Sequence, residues 1–333
     1  MGFNVFVTRL LPPDGMEMLK AACDTVDVNP HDRPPTKQEI IAAVKGKKRD
    51  GLLCLLCDPI DREVIDALGP IVKGIADYAV GYNNIDVARA TELGIPVSNT
   101  PGVLTHATSD LAWALLFAIA RRIVESDKYT RAGKFSGWAP MLHQGADVAG
   151  ATLGVVGAGR IGTAFALKSR GFDMKILYCD RSRNETLETE IAARRVDLDT
   201  LLRESDFVSL HVPLVPETHH LINAEKLALM KPGAFLINTS RGPVVDEAAL
   251  VAALREKKIA GAALDVYENE PAIAPGLTEL DNVVMVAHIG SATTTTRAKM
   301  ARMAAADLIA MMKGDRPQNC VNPEVYNRDN WKR

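Results

Sequence analysis

From residue 152 onward, short apolar runs recur with stretches of helical periodicity between them: "TLGVVG", "KILYCD", "FVSLHV", "AFLINTS", "GAALDVY" and "NVVMVAHI". These runs are apolar at nearly every position instead of alternating, which marks strands covered on both faces, and the intervening helices imply right-handed parallel crossovers. Six strands of one doubly wound sheet are expected. Residues 1–100 repeat the theme on a smaller scale, with "NVFVT", "DGLLCLL", "VKGIADY" and "IPVSNT" separated by helix-like segments such as Thr36 to Val44.

Between the two regions the pattern predicts an unusually long helix, Leu104 to Lys128. The Gly- and Trp-bearing "RAGKFSGWAPMLHQGADVAG" after it reads as an irregular surface arm. Beyond Ile289 a further helical pattern, Thr293 to Lys313, has no strand to precede and leaves a short polar tail. This last helix is expected to cross back to the first region. The expected domains are therefore a discontinuous one, residues 1–100 plus 292–333, and a continuous one, residues 101–291, with a ligand cleft between them.

Composition is consistent with two domains. At 333 residues the chain exceeds the length at which a single core stops growing. Hydrophobic residues make up 47% and charged residues 24%, the balance of an ordinary soluble globular protein. A net charge of −2, from 39 basic and 41 acidic residues interspersed along the chain, gives no footprint for nucleic acid or an anionic membrane. The N-terminal "MGFNVFVTRLLPPDG" lacks the layout of a secretory signal, and Phe6 rules out myristoylation at Gly2. The longest apolar run, Leu111 to Ala120, is about half of what a bilayer-spanning helix needs. A cytoplasmic location is expected.

Five scattered cysteines do not make a secreted disulfide framework. "CLLC", Cys54 to Cys57, has redox-pair spacing, but it sits inside an apolar run and its cysteines are expected to act as small buried hydrophobes.

Candidate chemistry begins at "LGVVGAGRIGTAFA", where Gly157, Gly159 and Gly162 follow a strand and open a helix. In that context the first glycine permits a tight turn and the second lets the backbone approach a pyrophosphate. The third allows close helix packing, while helix N-terminal amides bind the anion. Arg160 adds a possible charged contact. Asp180 ends the next strand about 20 residues further on, where an acid accepts hydrogen bonds from an adenosine ribose. Together they predict a Rossmann-type dinucleotide site. Asp180 would repel a 2′-phosphate and favours NAD, while Arg181 and Arg183 keep NADP possible.

Three other stretches place polar groups at strand ends, where open α/β sheets bind ligands. "NTSRGPVVDE" carries Arg241, "LDVYENEP" carries Glu270 just before a proline, and "AHIGS" carries His288. A cation, an acid and a histidine are thus expected to converge. His211, His219 and His220 are taken as surface or loop residues, because no third ligand has zinc spacing; no metal is assigned. Glu268 is taken as a solvated loop residue.

At these residues the chain resembles the D-isomer-specific 2-hydroxyacid dehydrogenases, along essentially its whole length. Motifs like "GAGRIG", "SRGPVVDE", "DVYENEP" and "HIGS" occur in that family in this order. The resemblance implies two Rossmann-like parallel-sheet domains and assigns Arg241, Glu270 and His288 to the active site. Arg241 would fork onto the carboxylate of a 2-oxo acid. Protonated His288 would give a proton to the carbonyl oxygen, and Glu270 would favour the imidazolium.

The resemblance further nominates Val80 and Gly81 in "VGYNNID" for the substrate carboxylate. It places Ile161, Val212, Thr218, Thr239, Ser240, Asp265 and Gly290 with the glycines at the cofactor. Asp110 stands where relatives commonly carry glutamate, away from the chemistry. Within the family, the arm and the closing "NCVNPEV" look most like glyoxylate or hydroxypyruvate reductases, and a homodimer is implied. The rivals are D-3-phosphoglycerate and D-lactate dehydrogenases and a non-catalytic NAD(H)-sensing corepressor.

Overall fold

A computed structural model describes residues 2–69 and 71–327, so the last six positions of the polar tail lie outside the described residues. The chain forms two compact units, Met1–Leu104 with Ala292–Arg333, and Thr105–Ser291. Both are parallel α/β sheets.

In the first unit the strands are β1 (Phe3–Val7), β2 (Cys23–Val28), β3 (Gly51–Cys54), β4 (Ile75–Asp77) and β5 (Val97–Ser98), all parallel, in the order β2-β1-β3-β4-β5. This is the flavodoxin-like variant of the doubly wound sheet. β2 was absent from the expectation, because "CDTVDV" interleaves acids with its apolar residues. It is an edge strand with none of its residues fully buried, so it lacks the continuous apolar run of the interior strands.

The helix Thr294–Lys313 packs in this unit against the helix Pro13–Ala22 and the sheet, burying Met300, Leu308, Met311 and Met312. Thr293 caps its N-terminus by accepting from the Thr296 N–H, and Gly314, at φ 84°, ends it. A Cβ on Gly15 would stand 2.7 Å from the Ala301 carbonyl oxygen, so only glycine lets these two helices approach so closely. Cys54 is buried, its thiol pushed up by burial, as a small core residue would be; Cys57 lies beyond the strand and is exposed.

In the second unit the strands are β6 (Thr152–Val156), β7 (Lys175–Cys179), β8 (Arg194–Arg195), β9 (Phe207–Leu210), β10 (Phe235–Asn238), β11 (Gly261–Leu264) and β12 (Val283–Met285). Their order, β12-β11-β10-β9-β6-β7-β8, is the Rossmann arrangement with a seventh strand added. Separate apolar clusters cover the two faces, one around Leu236 and Leu264, the other around Leu153, Phe165 and Ile237. Six strands were expected. The extra one, β8, is two exposed arginines at the sheet edge, a sequence with no apolar signal at all.

The single long helix expected from Leu104 to Lys128 is instead two, Thr105–Ala120 and Ile123–Arg131. Arg122 between them adopts φ 53°, in the left-handed region that ends a helix. The returning arm explains the break: the Ala146 N–H takes the Ala120 carbonyl, and the Arg122 guanidinium turns to Glu125. Asp110 on the first of these helices is exposed and ion-pairs with Lys168. No helix among the described residues is long and apolar enough to cross a membrane.

Candidate active site

The sheet order of the second unit reverses between β6 and β9, which is where this fold binds a dinucleotide. The loop after β6 is built by its glycines. Gly157 has φ +92°, and a Cβ there would meet the His211 carbonyl at 2.8 Å; a Cβ on Gly162 would lie 1.9 Å from the Gly157 carbonyl oxygen. Gly159 is different: nothing lies within 4 Å of its Cβ position, and it caps the helix Arg160–Leu167. Two glycines close the turn and the third keeps space open. Arg160 at the mouth is exposed and Ile161 half-buried.

Asp180 follows β7. Its Oδ2 accepts the Ala158 N–H at 2.7 Å and its Oδ1 the Ser182 N–H at 2.9 Å, so it ties the glycine loop to the next strand with lone pairs remaining on each oxygen. The neighbouring cations divide. Arg183 pairs with Glu188 at 2.6 Å, and Arg195 donates to the Asp180 and Arg181 carbonyls. Arg181 makes no ion pair among the described residues.

Three adjacent strands deliver the charged groups. Arg241 follows β10, Glu270 lies in the loop after β11, and His288 comes three residues after β12. His288 Nδ1 is 2.9 Å from Glu270 Oε2, and the other carboxylate oxygen accepts the Tyr267 N–H at 3.0 Å. Burial raises the Glu270 carboxyl, but the hydrogen bond and charge of His288, the Tyr267 N–H and the positive Arg241 outweigh it, leaving the group below its ordinary range. Arg241 is also anchored by Nη1 donating to the Ser240 carbonyl at 2.8 Å.

Asp265 shapes the backbone that carries the histidine. Its carboxylate accepts the Ile289 N–H at 2.6 Å and the Gly290 N–H at 2.9 Å, while its carbonyl accepts the His288 N–H at 2.9 Å. This holds His288 at φ 52°, a conformation L residues adopt only when surroundings impose it. Burial pushes Asp265 up to about 6.

Ser240 is buried and hydrogen-bonded to Asn238, whereas the buried hydroxyl of Thr239 has no hydrogen-bond partner among the described residues. Val212 packs beside Gly157. The Thr218 hydroxyl is used within its own loop, donating to the Pro213 carbonyl and accepting the Val215 N–H. Val80 and Gly81 follow β4 in the first unit, with the Val80 carbonyl accepting from Asn99 at 2.7 Å.

Residues 113–290 match the model of the D-isomer specific 2-hydroxyacid dehydrogenase NAD-binding domain. Over 325 residues the chain is 52% identical to the glyoxylate reductase of Korarchaeum cryptofilum, covering 97% of this chain and 96% of that one. The chain belongs to the D-isomer specific 2-hydroxyacid dehydrogenase family. A crystal structure of a Thermus thermophilus protein superposes with a TM-score of 0.88 at 44% identity, covering 96% of this chain and 99% of that one. The NADPH-dependent glyoxylate/hydroxypyruvate reductase of Sinorhizobium meliloti, solved with NADP and malonate, gives a TM-score of 0.85 at 31% identity over 96% of this chain and 97% of that one. As a 2-hydroxyacid dehydrogenase the chain is an oxidoreductase carrying the family's NAD-binding domain.

Glu268 departs from expectation in this dehydrogenase, and two loop histidines are more engaged than expected. His211, in the loop after β9, turns inward: its ring packs on Phe165, its Nε2 meets Ser209 at 2.9 Å, and burial pushes its pKa down to about 3. Glu268 is no free solvated acid, since its Oε1 stands 2.6 Å from His220 Nε2 and its backbone N–H donates to Glu247 at 2.8 Å. His220, in a turn as expected, is half-buried against that carboxylate. Forty-eight residues separate His220 from Glu268, so no local spacing signalled the pair.

Proposed function

We propose that this dehydrogenase reduces a small 2-oxo acid, glyoxylate or hydroxypyruvate, to the 2-hydroxy acid, using NADH in preference to NADPH. The observation that carries the reading is the His288–Glu270 pair beside Arg241, on three adjacent strands of a sheet whose switch point holds the glycine loop. The open space over Gly159 and the unpartnered Thr239 hydroxyl suit a dinucleotide. When bound, that group supplies the hydride.

The rest of the chemistry belongs to the chain. Arg241 presents two parallel N–H groups to the substrate carboxylate and polarises the adjacent carbonyl. With Nδ1 occupied by Glu270, His288 delivers its proton from Nε2 to the carbonyl oxygen. Ionised Glu270 stabilises the imidazolium before transfer, and in the oxidative direction the neutral ring accepts the proton back. Asp265 acts on this step through geometry, fixing the His288 backbone. Asp180 takes the ribose hydroxyls and opposes a 2′-phosphate, which supports NADH.

A homodimer fits the arm, where Phe135 is 58%, Trp138 85% and Met141 74% exposed, a concentration of large apolar side chains that monomers rarely present to water. A panel of 2-oxo acids assayed with NADH and NADPH tests the proposal. Turnover of glyoxylate or hydroxypyruvate with NADH supports it. Tight NADH binding without turnover of any 2-oxo acid would point to a sensor instead.

A further inference from the structure

Outside the residues assigned to reduction, the second unit gathers a different set of ligand-type side chains. Consecutive side chains on an extended backbone point apart. His219 and His220 escape this, because His220 adopts φ 49°, held there by its N–H donating to the Pro243 carbonyl at 2.8 Å. Their rings therefore stack, with centroids 4.1 Å apart and planes inclined at 28°.

Glu268 approaches from the loop after β11. Its Oε2 accepts the Glu247 N–H at 3.2 Å and its own N–H reaches Glu247 Oε1, which fixes the carboxylate with Oε1 turned to the histidines. One ligand atom from each of His219, His220 and Glu268 lies within 4.8 Å of the others, and all three side chains are open to solvent to some degree. Glu247, largely buried, thereby backs Glu268 as a second carboxyl.

Two imidazoles and a carboxylate are the donor set of three-ligand zinc sites, which leave a fourth position for water. We propose that His219, His220 and Glu268 form a binding site for a divalent transition ion of the zinc type, separate from the residues that carry reduction. The ion would sit between the stacked rings and Glu268 Oε1, replacing the direct His220–Glu268 hydrogen bond.

Zinc chloride titrated calorimetrically into full-length, metal-stripped protein tests the site in the wild type and in His219→Ala, Glu268→Gln and His288→Gln. The expected result is one ion per chain, bound by His288→Gln as by the wild type. His219→Ala and Glu268→Gln should each weaken it by more than the roughly 10- to 100-fold that loss of an outer-shell partner costs. Because His219 is exposed, its alanine variant should melt with the wild type, which separates loss of a ligand from loss of fold. No zinc uptake by the wild type, wild-type affinity in either His219→Ala or Glu268→Gln, or loss of the ion in His288→Gln would each overturn the assignment.

Discussion

His288 Nδ1 lies 2.9 Å from Glu270 Oε2, joining two residues eighteen positions apart on loops that follow different strands. The carboxyl is held below its ordinary range against the effect of its own burial, and the imidazole is the first of the groups that hold it there. An ionised Glu270 therefore faces the ring nitrogen that does not meet the substrate.

Glu270→Gln keeps the shape of the side chain and removes the charge that faces His288 Nδ1. A hydrogen bond to a charged group contributes about 1.5–3 kcal/mol, so kcat for a 2-oxo acid should fall roughly 10- to 100-fold while NADH binds as to the parent. Steady-state rates beside NADH titrations check this. A parental kcat counts against the pairing.

Arg241→Lys keeps the charge and removes the two-pronged contact. Hydrogen bonds to charged groups contribute about 1.5–3 kcal/mol, so kcat/KM for a 2-oxo acid should fall roughly 10- to 100-fold. A specificity constant close to that of the parent would refute the assigned role.

The two inner glycines of the loop should fail in different ways. Gly162→Ala puts a methyl 1.9 Å from the Gly157 carbonyl oxygen, a backbone atom that cannot yield cheaply, and should lower stability by about 1–3 kcal/mol. Gly159→Ala meets no protein atom within 4 Å and should melt like the parent while binding NADH far more weakly. Thermal melts beside NADH fluorescence titrations separate the two; intact NADH affinity in Gly159→Ala would contradict cofactor approach at that point.

His211 predicts an acid sensitivity of the fold. Its pKa of about 3 lies below the ordinary 6.5, so unfolding takes up a proton between those values and stability falls as the pH drops below 6.5. At pH 5 this loss amounts to about 2 kcal/mol. The fall in melting temperature between pH 7 and pH 5 should shrink in His211→Asn. An equal fall in both proteins would contradict the burial of the charged form.

The sheet and the strand-end placement of the candidate residues were legible in the sequence for one physical reason: interior parallel strands leave continuous apolar runs, and polar residues at their ends stand out against them. Glycines 157, 159 and 162 and the strand-end positions of Arg241, Glu270 and His288 are of this kind. What escaped was set by tertiary contact. Strands β2 and β8 lie at sheet edges and carry acids or arginines, so they resemble loops. The helix break at Arg122 depends on an arm that returns to Ala120, and the His220–Glu268 contact on a loop far along the chain. Asp265 was placed at the cofactor by resemblance, and the sequence carried no sign that its carboxylate also accepts the Ile289 and Gly290 N–H groups that support His288.

The most direct test of the account is NADH oxidation driven by glyoxylate or hydroxypyruvate, in the wild type and in His288→Gln, with NADH affinity measured on both. The account predicts turnover by the wild type and a loss of about 10²- to 10⁴-fold in kcat for the variant, the usual contribution of a positioned general acid, with NADH bound equally well. Near-parental turnover by His288→Gln, or a wild type that binds NADH yet reduces no 2-oxo acid, would contradict it.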